Sequence, residues 1–356
     1  MTNHTHDELI ARLQGNATHS KKERLSVLNK EIPFQEGSGG LDPRVKNFLT
    51  NEADPNVRRP LEIDDLEITR KRVEVNNTDL SSGIRAETLK IPFEDHEITL
   101  GIYNQGAEKK PVLIYFHGGG FFERDTDVME NACKFLAQEA GAVVVGVEYR
   151  LAPEYPYQDG LNDCFEAVRY IYENPEKFQA DVGQMGLVGD SVGGNLALGV
   201  HQLSLREEWE IRYLGMLCPL VDLSDVSRNT WNIEHYDMSK DVELIRQELV
   251  TMKDSLIFIQ TLYLTNLEDV FLPLVSPLLR TDKTDLPPTT MVTAEFDFLR
   301  IQGEEFSAQL LEAGVPVRHF KYKGMDHAFV RKLGYYPQAA DAIKEVSKHF
   351  LEVLQK

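Results

Sequence analysis

The feature that most constrains this chain is a series of short, unbroken apolar runs separated by stretches with helical spacing. PVLIYF (111–116), AVVVGVEY (142–149) and MGLVG (185–189) are rich in β-branched residues and carry no alternating polar face. A strand with one wet face alternates polar and apolar residues, whereas a run like these is covered on both faces. DVMENACKFLAQEA lies between the first two runs, and helical patterns follow over 160–173 and 192–206. The series goes on with strand LGMLCPLV (214–221), strand TTMVTA (289–294), helix 303–313, strand PVRHFKY (316–322) and helix 337–355. Strand, helix, strand in succession predicts an α/β fold, a mostly parallel sheet with helices on both faces. Upstream, GIRAETLKI and HEITLGIYN read as a hairpin turning near 93–95.

Two regions stand outside this pattern. Residues 1–80 are polar and turn-rich, as in EGSGGLDP (36–43) and EADPNVRRP (52–60), with short helical patterns near 7–13 and 45–49. Their apolar content is too thin to offset chain entropy as an independent domain. Residues 222–275 carry Trp231, Tyr236, Phe258, Tyr263 and Phe271 in helical patterning without a strand. The expected organisation is a catalytic domain over 81–221 and 276–356, a helical cap insertion over 222–275, and an N-terminal segment, 1–80, that contributes to the cap. A plain surface insertion is the alternative for 222–275.

The 38 Lys and Arg against 57 Asp and Glu give a net charge of −19. Such a surface repels phosphate backbones and anionic lipids, so neither nucleic acid nor membrane is an expected partner. Cys133, Cys164 and Cys218 are odd in number and sit in apolar stretches, which reads as buried free thiols in a reducing compartment. The N-terminus, MTNHTHDELIARLQGN, has no apolar core of signal-peptide length, no stretch approaches a bilayer span, and the expected location is the cytoplasm.

The chemistry-bearing residues fall at strand ends. Gly189-Asp190-Ser191-Val192-Gly193 fits G-x-S-x-G, with an apolar strand before it and a helical pattern straight after. A turn this tight forces the serine into a strained backbone and lifts its oxygen above the sheet, so Ser191 is the expected nucleophile. The alternative is a serine capping an ordinary helix. His117-Gly118-Gly119-Gly120 follows strand 111–116 directly. Acyl transfer builds negative charge on the former carbonyl oxygen, and backbone N–H groups aimed at it stabilise that charge. The expected donors are Gly118, Gly119 and Val192, the residue after the nucleophile. His117 leads this loop and reads as a hydrogen bonder that orders it.

His327 follows the last strand in the loop KGMDHAF, where an imidazole reaches back over the sheet. His4, His6 and His19 lie in the polar N-terminal segment, His319 within a strand, and His201 at the wrong end of the helix after Ser191. Asp297 ends TTMVTAEFD and completes the order Ser, Asp, His. Glu295 is its nearest competitor. Asp326, adjacent to His327 in sequence, is badly placed to reach the imidazole. In this scheme no metal and no organic cofactor is required.

HGGGF (117–121), YRLAPEYPYQDGLNDC (149–164), GDSVGGNLAL (189–198), SPLL (276–279), LPPTTMVTAEFDFLR (286–300) and the AGVPV…Y.G.DHAF run (313–329) together resemble the hormone-sensitive-lipase-like family of α/β-hydrolases. The resemblance implies an α/β-hydrolase fold with an eight-stranded, mostly parallel sheet and a helical cap. It implies a carboxylesterase for short acyl chains and agrees on Ser191, Asp297 and His327. It also implies that Arg150 and Glu154 pair beneath the site. Edge-strand dimers are common in the family, so the resemblance admits a homodimer. The chain departs from the family pattern at Val192, Phe298, Ile301-Gln302 and Ala328; Phe298 and Ala328 are the positions expected to reshape the pocket.

The expected substrate is a small, roughly neutral acyl ester, with Phe121, Phe122 and the cap aromatics forming an apolar pocket. A formamidase or amidase uses the same nucleophile and the same donors and is the alternative. A non-catalytic binding protein on a hydrolase scaffold belongs to a different class, and the presence of Ser191, Asp297 and His327 argues against it.

Overall fold

The computed structural model describes residues 4–356 except 23, 36–38, 53–62, 64–65, 71–75, 94, 125, 226–230 and 328. The strands, in chain order, are β1 (Ala17–Lys22), β2 (Leu25–Lys30), β3 (Ala86–Phe93), β4 (His96–Tyr103), β5 (Lys110–Phe116), β6 (Val143–Glu148), β7 (Ala180–Asp190), β8 (Tyr213–Leu217), β9 (Thr289–Phe296) and β10 (Val317–Asp326). The helices are α1 (His6–Gly15), α2 (Pro43–Asn47), α3 (Leu66–Arg70), α4 (Thr126–Ala140), α5 (Asp159–Glu173), α6 (Pro175–Phe178), α7 (Val192–Ser204), α8 (Val242–Tyr263), α9 (Arg300–Glu312) and α10 (Pro337–Leu354).

All ten strands form one sheet, in the order β1-β2-β10-β9-β8-β7-β5-β6-β4-β3. The pairs from β2 across to β6 are parallel, and the antiparallel pairs are β1–β2 at one edge and β6–β4 and β4–β3 at the other. Successive side chains of a strand point to opposite faces, and the core divides accordingly. Val112, Ile114 and Phe116 of β5 join one apolar cluster with residues of α5 and α7. Leu113 and Tyr115 join the other, with residues of α4 and α10. Two covered faces explain why these strands read as unbroken apolar runs.

The sheet has ten strands where the resemblance implied eight. The additional pair, β1 and β2, comes from the polar N-terminal segment, which was expected to serve the cap. β2 lies parallel to β10, with Val27 opposite His319, and buries Leu25 and Val27. β1 (ATHSKK) pairs only with β2 and is exposed on its outer side. Strand β8 stops at Leu217, short of the apolar run's end at 221. There Cys218 turns to φ 47° and Pro219 removes a donor from the ladder. The expected turn of the β3–β4 hairpin includes residue 94, and most of EADPNVRRP (52–60) also lies outside the described residues. Among the described residues, no helix is long and apolar enough to cross a membrane.

Candidate active site

The turn that carries Ser191 is built by backbone geometry. β7 ends at Asp190, α7 begins at Val192, and Ser191 between them has φ 52° and ψ −120°. That conformation is unfavourable for a residue with a side chain and persists only where the surroundings enforce it. Crowding explains the flanking glycines. A Cβ on Gly193 would sit 1.9 Å from the carbonyl oxygen of Phe116, and one on Gly189 would sit 2.3 Å from the backbone of Gly193. The Ser191 N–H donates to Leu217 O (2.9 Å), and Ser191 O accepts from Gly194 and Leu220, so both sides of the turn are pinned.

Three side chains distant in sequence meet above the ends of β7, β9 and β10. Ser191 Oγ lies 3.1 Å from His327 Nε2, and His327 Nδ1 lies 2.9 Å from Asp297 Oδ2. The carboxylate accepts, so the imidazole proton sits on Nδ1 and leaves Nε2 to accept from the serine hydroxyl. Asp297 is 1% exposed, and its other oxygen accepts from the Leu299 N–H at 2.8 Å. Burial works against a charged His327, but the Asp297 charge and hydrogen bond outweigh it, with Asp190 and Asp326 adding; the net effect raises its pKa. Glu295 faces elsewhere: it accepts from Lys323 and from the Gly324 N–H (2.8 Å). Asp326 is half-buried beside His327, whose Nδ1 is taken by Asp297, and desolvation pushes the Asp326 carboxyl up to about 7.

The glycine loop differs from expectation at one position. The Gly118 N–H donates to Asp190 Oδ1 at 2.9 Å, and Tyr115 Oη donates to the same oxygen at 2.8 Å. A committed donor has nothing left for a substrate, and Gly118 does not line the cavity that holds Ser191. Gly119, Gly120 and Val192 do line it. The expected role of Gly118 is therefore corrected: it anchors the loop. His117 also stays behind the loop, buried and stacked on Tyr149 with ring centroids 4.3 Å apart. Its Nδ1–H donates to Gly118 O (2.7 Å), and burial lowers its pKa to about 4.

The cavity around Ser191 and His327 measures about 140 Å³. Phe122, Leu220 and Leu299 supply one part of its apolar wall, and Met252, Leu256 and Ile259 of α8 supply the rest. Glu123 and Arg331 line it as well, 3.8 Å apart. Phe121 is a correction: its ring stacks flat on Tyr263 at 3.7 Å, buried in the core and outside the cavity lining. Phe298 likewise packs under Trp231 and does not line the cavity, while residue 328 lies outside the described residues. Segment 222–275 also grips the acid loop, since Tyr236 Oη donates to Asp297 O at 2.9 Å. A larger cavity of about 610 Å³, lined by Arg212, Pro288, Pro316 and His201, opens at the opposite ends of the strands and contains none of the reacting groups.

The implied Arg150–Glu154 pair is not formed. Arg150 is bidentate on Asp163 (2.9–3.1 Å), and Glu154 is bidentate on Arg70 (2.7–2.8 Å). Sequence reasoning missed Asp190 as a loop clamp, although it occupies the variable place in G-x-S-x-G. It also missed Arg70, which lies in the polar N-terminal segment without any motif around it.

A model of the alpha/beta hydrolase fold family matches residues 113–331. The chain is 30% identical to an arylesterase of Saccharolobus solfataricus over 82% of its own length and 92% of that protein's. It is 31% identical to an ethyl acetate hydrolase of Pseudomonas putida, covering 64% of this chain and 69% of that one. Among solved structures, an α/β hydrolase enzyme from the metagenome of Lake Arreo superposes with a TM-score of 0.76 at 26% identity, over 90% of this chain and all of that one. The motifs, the sheet order and these likenesses agree: the chain belongs to the α/β hydrolase fold family and, within it, to the hormone-sensitive-lipase-like group.

Proposed function

We propose that this protein is a serine carboxylesterase acting on small, short-chain acyl esters. The observation that carries the reading is the continuous chain from Ser191 Oγ to His327 Nε2 to Asp297 Oδ2, with links of 3.1 and 2.9 Å. Ser191 Oγ attacks the ester carbonyl carbon while its proton passes to His327 Nε2. The carbonyl oxygen takes the negative charge and accepts hydrogen bonds from the N–H groups of Gly119, Gly120 and Val192. As the tetrahedral intermediate collapses, His327 protonates the departing alcohol. A water molecule then attacks the acyl-enzyme by the same route and releases the carboxylic acid. Asp297 holds the imidazole tautomer and stabilises its cationic form.

The short-chain preference rests on size. About 140 Å³ is well under the roughly 300 Å³ at which drug-sized ligand pockets begin. Leu256 and Ile259, both buried, close it from the α8 side. The arylesterase and ethyl acetate hydrolase among its relatives support an ester as the substrate. A nitrophenyl ester series from acetate to decanoate, run beside nitroacetanilide, tests this. The expected kcat/KM is highest at two to four acyl carbons and far lower for the anilide. Preference for decanoate or for the anilide would overturn it.

A further inference from the structure

We infer that Arg70 is a positioning residue for the oxyanion loop, a role that rests on the serine esterase reading. The loop needs an external support. Gly119, Gly120 and Phe121 all have positive φ, at 105°, 60° and 65°. A phenylalanine in the left-handed region is strained, and such strain persists only where the surroundings over-determine it. Within the loop the restraints are the Phe122 and Glu123 N–H groups, which donate to Gly119 O at 3.0 and 2.8 Å.

Arg70, at the last position of α3, supplies a restraint from outside. Its Nε–H donates to Phe122 O at 2.7 Å, and its Nη2 donates to Ala152 O at 2.6 Å. The same guanidinium holds Glu154 in a bidentate pair at 2.8 and 2.7 Å, which fixes the plane of the fork. That pair drops the Glu154 pKa to about 2. Ala152 N–H in turn donates to Phe121 O at 2.9 Å. One side chain therefore ties the carbonyl two residues past Gly120 to the neighbouring loop at 152–154. Peptide planes are rigid, so fixing Phe121 O and Phe122 O orients the Phe122 and Glu123 N–H groups; these hold Gly119 O, which shares its plane with the Gly120 N–H. Lysine has no planar fork and cannot make these contacts together.

The test uses nitrophenyl acetate turnover and inhibition by a methyl trifluoromethyl ketone, which forms a tetrahedral oxyanion on the serine. Arg70→Ala should lower kcat by about 10- to 100-fold with KM changed little, the scale expected when a reacting geometry slips by under 1 Å. Ketone affinity should fall by the same factor. Arg70→Lys should recover only part of the loss, and Glu154→Gln, which leaves both carbonyl contacts, should lose less than Arg70→Ala. If Arg70→Ala does not fold, as judged by thermal melting, the Lys and Gln variants decide by the same two readouts. Loss of stability with kcat and ketone affinity within twofold of the parent would overturn the role. Turnover by the parent together with none by Ser191→Ala keeps the hydrolase reading intact, so failure of Arg70 is then its own; a parent that does not turn over refutes both.

Discussion

In the proposed mechanism a single imidazole carries the chemistry, and its surroundings set the pH at which it works. His327 must be neutral to accept the Ser191 proton, and the Asp297 carboxylate at 2.9 Å favours the charged form. Its pKa is raised above the ordinary 6.5, so kcat/KM should fall on the acid side with a midpoint above that value. Asp297→Asn removes the main raising cause. It should lower kcat by about 10⁴-fold, the scale of losing the correct tautomer, and move the acid limb of any residual activity downward. Glu295→Gln serves as the control; because Glu295 is bound to Lys323 and Gly324, its loss should leave the acid limb in place. A pH profile of the three proteins checks this, and an unmoved limb in Asp297→Asn would reassign the acid. The meeting of Ser191, Asp297 and His327 was legible in the sequence because each follows a recognisable strand run. The Gly118 donor was misjudged because its N–H partner, Asp190, stands 72 positions away, and no local pattern reveals such a bond.

At the scale of elements, the proposed mechanism has helix α8 set what fits. Met252, Leu256 and Ile259 recur at helical spacing, so one stripe faces the cavity, and Leu256 is 1% exposed. Leu256→Ala removes side-chain bulk from that wall. Because one methylene in an apolar pocket changes discrimination by roughly 10- to 200-fold, the hexanoate-to-acetate ratio of kcat/KM should rise by about tenfold. Measuring nitrophenyl hexanoate and acetate on both proteins checks this; an unchanged ratio would place the acyl chain against another wall. The helical character of this segment was readable from its aromatic and aliphatic spacing. Strands β1 and β2 were not. Residues 17–21 of β1 are all exposed, with no buried face to impose a period of two, and LSVLNK is held in the sheet by a partner 290 or so positions away in β10.

Taken as a whole molecule, the fold places Ser191, Asp297 and His327 at the carboxyl ends of the parallel strands β7, β9 and β10 and uses the N-terminal segment in distinct ways. Residues 17–30 extend the sheet beyond β10, Asp241 binds Leu41 N–H (3.2 Å) and Lys46 (2.6 Å), and Arg70 reaches the glycine loop. The central claim is that this assembly makes Ser191 the nucleophile. Treating the folded protein with a fluorophosphonate and locating the adduct by peptide mass spectrometry tests it most directly. The account predicts one adduct per chain, on the peptide bearing Ser191, and loss of both labelling and ester turnover in a folded Ser191→Ala variant. An adduct on another residue, or a Ser191→Ala protein that still turns over nitrophenyl acetate, would contradict it.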